Sequence, residues 1–513
     1  NQTLRTALLS VSLIFVGCGS TTPTSDTKEP TSDTKEPTSV TGNALSPADE
    51  ILNSDNTLVD SNGDVTVSGK ITFDRVPIGS SGGLDYNHIT QEPAREIVVA
   101  LIDSSKNSIA TTTTDKNGQY SFTGISQNTS VKVRAYAMSK KTANSGSWDV
   151  AIVDNTNDDA QYVIEGSLAS VGTQNSIRNL NAPSGWSSDF NRYVAPRASA
   201  PFAILDSVYS AMQYILQTDS QINFPKLTVN WSNIIIHEWG HYFEKKFSRA
   251  DSIGGSHLEG DRLDIRVAFS EGWCNAFSSM VKDDPIYVDT GDNRQASNML
   301  VMDMESGTKR NPGYFSESSV QRILYDLYDD ADDGYDELSL GFEPIYDILT
   351  GTQKITPAFT SLFPFIKALK DKNSGYLDLI NRVVLSENIS SITSIYGDSS
   401  NGLYGDMSVG TAYNVCTSAE YGKYNKLYNH KYIRLNIASG GTYNIDVRQY
   451  NGTSADPDFA LYHTDEPFSM VGEANEGISS VESKNFTLAS GNYLLDMTDY
   501  NGVSTPCFSV NVN

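Results

Sequence analysis

His237-Glu238-Trp239-Gly240-His241 places two of the chain's 6 histidines one helical turn apart. On an α-helix, positions i and i+4 lie about 40° apart around the axis, so both imidazoles leave one face and can share a metal ion. Glu238 falls beside that face, close enough to take a proton from a water on the metal without becoming a ligand. Two imidazoles leave the site one protein ligand short, because catalytic zinc usually has three and keeps another position for water. The candidate third ligand is Glu271, the one carboxylate in the apolar helical run from Val267 to Phe277. A carboxylate there is costly to bury unless it is paired or ligated. Its other reading is a group that caps or salt-bridges within a buried helix. His257, in the Gly-rich stretch between the two helices, is an alternative ligand.

H-E-x-x-H is the zincin motif. With Glu271 downstream, in AFSEGW, the segment resembles the gluzincins, the thermolysin-like class, in which a later helix presents Glu to zinc. HEWGHYFEKKFSRADSIGGSH followed by GDRLDIRVAFSEGWCNAFSSM is similar to a group of bacterial secreted gluzincin-type proteins, from about Trp148 to Tyr432. The resemblance implies zinc (Zn2+) on His237, His241 and Glu271, with Glu238 as general base. Many gluzincins carry a carboxylate four residues after the ligand Glu, supporting a ligand His. Here that position is Asn275, whose amide oxygen accepts an imidazole N–H more weakly. Gluzincins commonly add a Tyr or His for the oxyanion, and Tyr314 or His257 could serve. Glu244 and Phe247 stand where a metzincin needs Gly and His, so that class is excluded; Glu244 is expected to cap or bridge the next loop. Zincins also bind substrate along an edge strand upstream of the motif helix, and here the upstream candidate is the short KLTVNWS.

The implied activity is peptide-bond hydrolysis by metal-activated water on a protein or peptide substrate, as an endopeptidase or an aminopeptidase. The alternative is a zinc-binding surface adhesion or binding protein that turns over little or nothing. A purely structural zinc is disfavoured, since such sites carry four protein ligands and more Cys.

These residues need helices to position them. Helical spacing predicts one from Trp231 to Phe247, capped by Asn230 or Ser232, with Ile234, Ile235, Ile236, Trp239 and Phe243 on its buried side. Others are predicted from Asp264 to Lys282, Ser316 to Tyr328, Pro357 to Lys372 and Gly375 to Leu385. PFAILDSVYSAMQYILQ reads as a buried helix packing behind the site.

The flanks read as sheet. From about Val65 to Met138, VSGKITF, a valine-rich strand, TDKNGQYSF and VKVRAYA resemble the carboxypeptidase regulatory-like domains, which implies a transthyretin-like β-sandwich. From about Tyr413, a strand, Gly-Gly-Thr-Tyr, a strand, Asp-Pro-Asp-Phe-Ala-Leu-Tyr and then Leu-Ala-Ser-Gly-Asn-Tyr resemble the pre-peptidase C-terminal domain, a small jelly-roll-like β-sandwich of secreted peptidases. Cys416 and Cys507 bracket it and could join its first and last strands. Cys274 reads as a small buried residue. The run from Asp329 to Glu337 could bind calcium (Ca2+) through its oxygens, or be a solvated acidic loop.

At the other end, Arg5 and the apolar stretch from Ala7 to Gly17 read as a signal peptide. Val16-Gly17-Cys18-Gly19 resembles the lipobox of bacterial lipoproteins, which implies lipidation at Cys18. TSDTKEP occurs twice in a Thr/Ser/Pro-rich stretch with almost nothing to bury, a flexible tether. The expected protein is therefore exported, held at a bacterial outer membrane or cell surface by its lipid alone, or released. The formal net charge of -25 excludes nucleic acid as a partner and adsorption to anionic headgroups.

Together these readings predict a multidomain α+β protein: signal peptide 1–17, lipidated linker 18–50, regulatory-like β-sandwich 60–140, mostly helical zincin domain 145–410 and C-terminal β-sandwich 413–513. It is expected to be a monomer.

Overall fold

The computed structural model describes residues 64–79, 83–154, 157–230, 236–291, 297–305, 309–331, 337–452, 454–475, 477 and 479–513. Among these, no helix is long and apolar enough to cross a membrane. The leader, the Cys18 anchor and the tether lie outside the described residues. So do 231–235, with the Ser232 cap, and 332–336 of the acidic run. The chain is a multidomain α+β mixture of two compact units, Asn1–Ile236 with Val288–Val301, and His237–Tyr287 with Met302–Asn513.

The first unit is built on β1 (Asp64–Arg75), β2 (Thr90–Pro93), β3 (Ile97–Asp103), β4 (Ser108–Thr113), β5 (Gln119–Ser126), β6 (Ser130–Lys141) and β7 (Trp148–Asp154). β1 alternates as its sequence does, burying Val65, Val67, Ile71 and Phe73, and pairs antiparallel with β2 and β5. β3, a continuous apolar run buried on both faces, lies between β4 and β6. The sheet continues beyond residue 140, the boundary expected for this module: β6 pairs with β7, and β8 (Leu227–Asn230) adds parallel to β7 at the edge. β8 is the upstream strand anticipated in KLTVNWS. The helix expected behind the metal residues, α1 (Ala200–Thr218), belongs to this unit and packs on β1, β6 and β7. Trp148 meets Tyr209 edge-on at 6.3 Å, and Arg95 pairs with the buried Asp206 at 2.6 Å.

The second unit contains α2 (Ile236–Phe247), α3 (Ile265–Lys282), α4 (Glu317–Asp326), α5 (Phe342–Asp347), α6 (Gln353–Ile355), α7 (Leu362–Lys372) and α8 (Leu377–Ser386). α5 and α6, joined by a π turn at Ile348–Thr352, fall where no helix was predicted; Gly341 and Pro344 interrupt the helical pattern there. The helices meet in an aromatic core of Trp239, Phe243, Trp273, Phe277, Phe342 and Tyr346.

A two-sheet β-sandwich follows. One sheet has the order β9 (Tyr404–Met407), β11 (His430–Ile437), β16 (Gly491–Asp499), β13 (Pro457–His463) and β14 (Ser469–Ala474). The other runs β10 (Tyr413–Cys416), β17 (Cys507–Val512), β12 (Gly441–Asn451) and β15 (Val481–Leu488). Alternate residues such as Leu435, Val447, Leu461, Met497 and Val510 fill the space between them. Cys416 and Cys507 face each other across β10 and β17 and are disulfide-bonded.

Buried charges tie this sandwich to α3. Asp264 caps α3, accepting from the backbone N–H of Arg266 at 3.0 Å. The Arg266 guanidinium donates to Asp264 at 2.9 Å and to Asp496 on β16 at 2.7 Å, and the Tyr432 hydroxyl donates to Asp264 at 2.7 Å. Just before β11, the Asn425 side-chain amide donates to the carbonyls of Gly254 at 2.9 Å and Ser256 at 3.1 Å, and Lys426 donates to that of Ser256 at 2.6 Å. The α2–α3 loop is thus held by the lead-in to the sandwich.

Within the sandwich, burial and the neighbouring Asp456, Glu482 and Asp499 push the carboxyl of Asp458 up to about 6. A carboxyl raised above its unfolded value weakens the fold as pH rises, since the unfolded chain gives up its proton first. In EDTA, Asp458→Asn is expected to raise Tm by scanning calorimetry at pH 7 to 8 and to leave it unchanged near pH 4.

Candidate metal centre

Two close approaches build the site. A Cβ on Gly240 of α2 would lie 2.9 Å from the Cys274 sulfur, and one on Gly272 of α3 would lie 2.6 Å from the Val320 Cβ of α4. The glycines of HEWGH and SEGW therefore let α2, α3 and α4 pack backbone to backbone. In consequence His237 and His241 from α2, Glu271 and Asn275 from α3, and Glu317 and Gln321 from α4 meet.

The Nε2 atoms of His237 and His241 each lie 3.3 Å from one oxygen, Oε2 of Glu271. Glu271 is only 8% exposed. Burial pushes its carboxyl up, but the two imidazoles outweigh this and hold it well below the usual carboxylate range. It is thus a buried anion facing imidazole nitrogens.

Behind each ring stands an acceptor. His237 Nδ1 is 2.8 Å from the Asn275 carbonyl oxygen, and Asn275 in turn donates to the Gln321 carbonyl oxygen at 2.9 Å. His241 Nδ1 is 3.2 Å from the Ser270 hydroxyl, whose proton goes to Glu244 at 2.6 Å. Such contacts fix the tautomer, with the proton on Nδ1 and the Nε2 lone pair turned inward. Glu244 therefore does not cap the following loop as expected. It is buried, and burial pushes its carboxyl up to about 7 against the pull of Ser270 and His241.

The donor set fits a zinc-like cation. Direct N–H···O contacts between charged partners are about 2.7–2.9 Å, whereas ligands about 2.05 Å from a tetrahedral ion lie about 3.3 Å from one another. The observed 3.3 Å separations have the second spacing. Two neutral imidazoles and a carboxylate are also an established zinc set. Glu238 lies between His237 and His241 in sequence and is partly exposed.

The third histidine is here too. His257 Nε2 lies 3.5 Å from the same Glu271 oxygen, and its Nδ1 is 2.6 Å from Glu317. Tyr314 is not brought to this cluster among the described contacts. It packs on Phe315 and Phe363, and burial with a Tyr428 hydrogen bond pushes its hydroxyl far up. Cys274 is fully buried, its thiol pushed well up by burial, within 4.8 Å of ring nitrogens of His237 and His241. Sequence reasoning missed Ser270, Glu317 and Gln321, because their roles arise only from the helix packing. The one available signal was the buried-looking polar residues at helical spacing on α4.

Residues 202–354, which include α2, α3 and α4, match the family described as the Mycolysin C-terminal domain. No curated protein sequence matches. Among solved structures, the chain is similar to the pre-peptidase C-terminal domain of collagenase from Bacillus anthracis, with 15% identity over 21% of this chain and 94% of that one and a TM-score of 0.18. It is also similar to PliG, a periplasmic lysozyme inhibitor of g-type lysozyme from Aeromonas hydrophila, with 12% identity over 21% of this chain and 99% of that one and a TM-score of 0.15.

Asn275→Ala removes the acceptor behind His237 and should weaken zinc binding roughly 10- to 100-fold in a chelator competition. Asn275→Asp, which supplies a carboxylate, should bind at least as tightly as the wild type.

Proposed function

We propose that this chain is a zinc-dependent peptidase, with His237, His241 and Glu271 holding the metal and Glu238 as the base. The observation that carries the reading is the approach of both ligand imidazoles to one buried carboxylate oxygen at 3.3 Å each, with an acceptor behind each ring. The match to the Mycolysin C-terminal domain supports it, since domains of this description are typically found in peptidases.

A zinc ion held there would polarise the scissile carbonyl and lower the pKa of a water from about 16 to roughly 7. Glu238 takes the proton of the attacking water and delivers it to the leaving amine, the general-base and general-acid halves of hydrolysis. A cation bound there would keep Glu271 ionised against its burial. Asn275 and the Ser270–Glu244 pair hold the rings in the tautomer that the ligand role needs. Tyr314 has no part in this mechanism.

A second reading, a zinc-holding surface protein without turnover, is favoured by one observation: the third imidazole at 3.5 Å from Glu271. Hydrolysis of casein and quenched peptides by the full chain and by Glu238→Gln separates the two. The expected result is zinc retained in both and activity lower in the variant by roughly 10²- to 10⁴-fold. Equal activities would reject Glu238 as the base, and a wild type that holds zinc without hydrolysing anything would establish the second reading.

A further inference from the structure

His257 shares two features that mark His237 and His241 as ligands. Its Nε2 points at the same Glu271 oxygen, at 3.5 Å against 3.3 Å for the other two. Its Nδ1 has an acceptor, and that acceptor is a carboxylate: Glu317 at 2.6 Å, against an amide for His237 and a hydroxyl for His241. Carboxylate–imidazole pairs of this kind are the usual support of a metal-ligating His. A proton on Nδ1 leaves Nε2 with a lone pair. It can then ligate but cannot donate to an oxyanion, which counts against the oxyanion role expected for His257.

The loop geometry is equally specific. Gly254 and Gly255, with φ of +63° and +97°, turn the chain so that His257 enters the cluster. A Cβ on Gly255 would lie 2.8 Å from the Asn425 side-chain nitrogen, which holds the carbonyls on either side of that residue. Glu317 is itself only 5% exposed, so its carboxylate is committed to the interior.

We propose that His257 is a fourth protein ligand, so that the metal is held at rest by three imidazoles and one carboxylate. This rests on the assignment of His237, His241 and Glu271 as ligands, and departs from the open three-ligand site that the motif alone implies. With the tetrahedron filled by protein, water must enter as a fifth ligand or displace His257. The site is thus closed until the α2–α3 loop yields.

The test is the metal's own environment. X-ray absorption of the zinc-loaded full chain should show three imidazoles in the first shell, and the cobalt-substituted protein should have the intense visible band of four-coordinate geometry. His257→Gln should show two imidazoles instead of three, a shifted cobalt band as water replaces a nitrogen, and zinc binding at least about tenfold weaker, while Glu317→Gln, which keeps the imidazole, should weaken zinc roughly 10- to 100-fold. Two imidazoles in the wild type would overturn the proposal, as would a His257→Gln variant with unchanged affinity and spectrum. If that variant does not fold, the wild-type spectrum and Glu317→Gln decide. A wild type that takes up no stoichiometric metal would instead refute the ligand assignment on which the proposal rests.

Discussion

An ionised carboxylate inside a helix of Val, Ala, Phe and Trp is the costliest element of this fold, and the site is arranged around it. Desolvating a lone carboxylate costs several kcal/mol even after relaxation, on the order of the whole stability of a domain. Glu271 carries that cost in α3, with the Nε2 atoms of His237 and His241 3.3 Å from it. Those rings would present lone pairs to the anion once their Nδ1 protons are committed to Asn275 and Ser270. Lone pairs and a carboxylate repel, and a cation shared among them would offset that repulsion.

Helix packing makes this arrangement possible. The rings come from α2, the carboxylate from α3 and the supports Glu317 and Gln321 from α4, so the helix backbones must approach closely. Gly240 and Gly272 allow this, since a methyl at either would overlap a neighbour. The glycines of HEWGH and SEGW are packing residues as well as motif letters. Behind them the aromatic core stiffens the helices, so that small changes in side-chain volume there would be felt at the cluster.

The legible part of the sequence was the part with short-range causes. The i, i+4 spacing set His237 and His241 on one face, and the Glu in an apolar run drew attention to position 271. Alternation in β1 and the Asp115–Gly118 turn showed the first sheet, and the cysteines bracketing the last strands are bonded. Causes at long range were hidden. β7, β8 and α1 join the first unit through pairings no local pattern announces, which is why a boundary at 145 misplaces them. Glu244 read as a cap or bridge to the next loop because its partner, Ser270, belongs to another helix. Tyr314 read as a candidate donor by type, and its aromatic neighbour Phe363 comes from distant sequence.

The grip of Asn425 and Lys426 on the carbonyls of Gly254 and Ser256 has a consequence for how the molecule is made. Residues 237 to 317 emerge from the ribosome well before residue 425. Until Asn425 and Lys426 are translated, the loop bearing His257 lacks its three anchoring hydrogen bonds, and until β16 is made Arg266 lacks Asp496. A later-made part of the chain thus completes the scaffold of the cluster, and a nascent or prematurely terminated product carries the motif without its full framework.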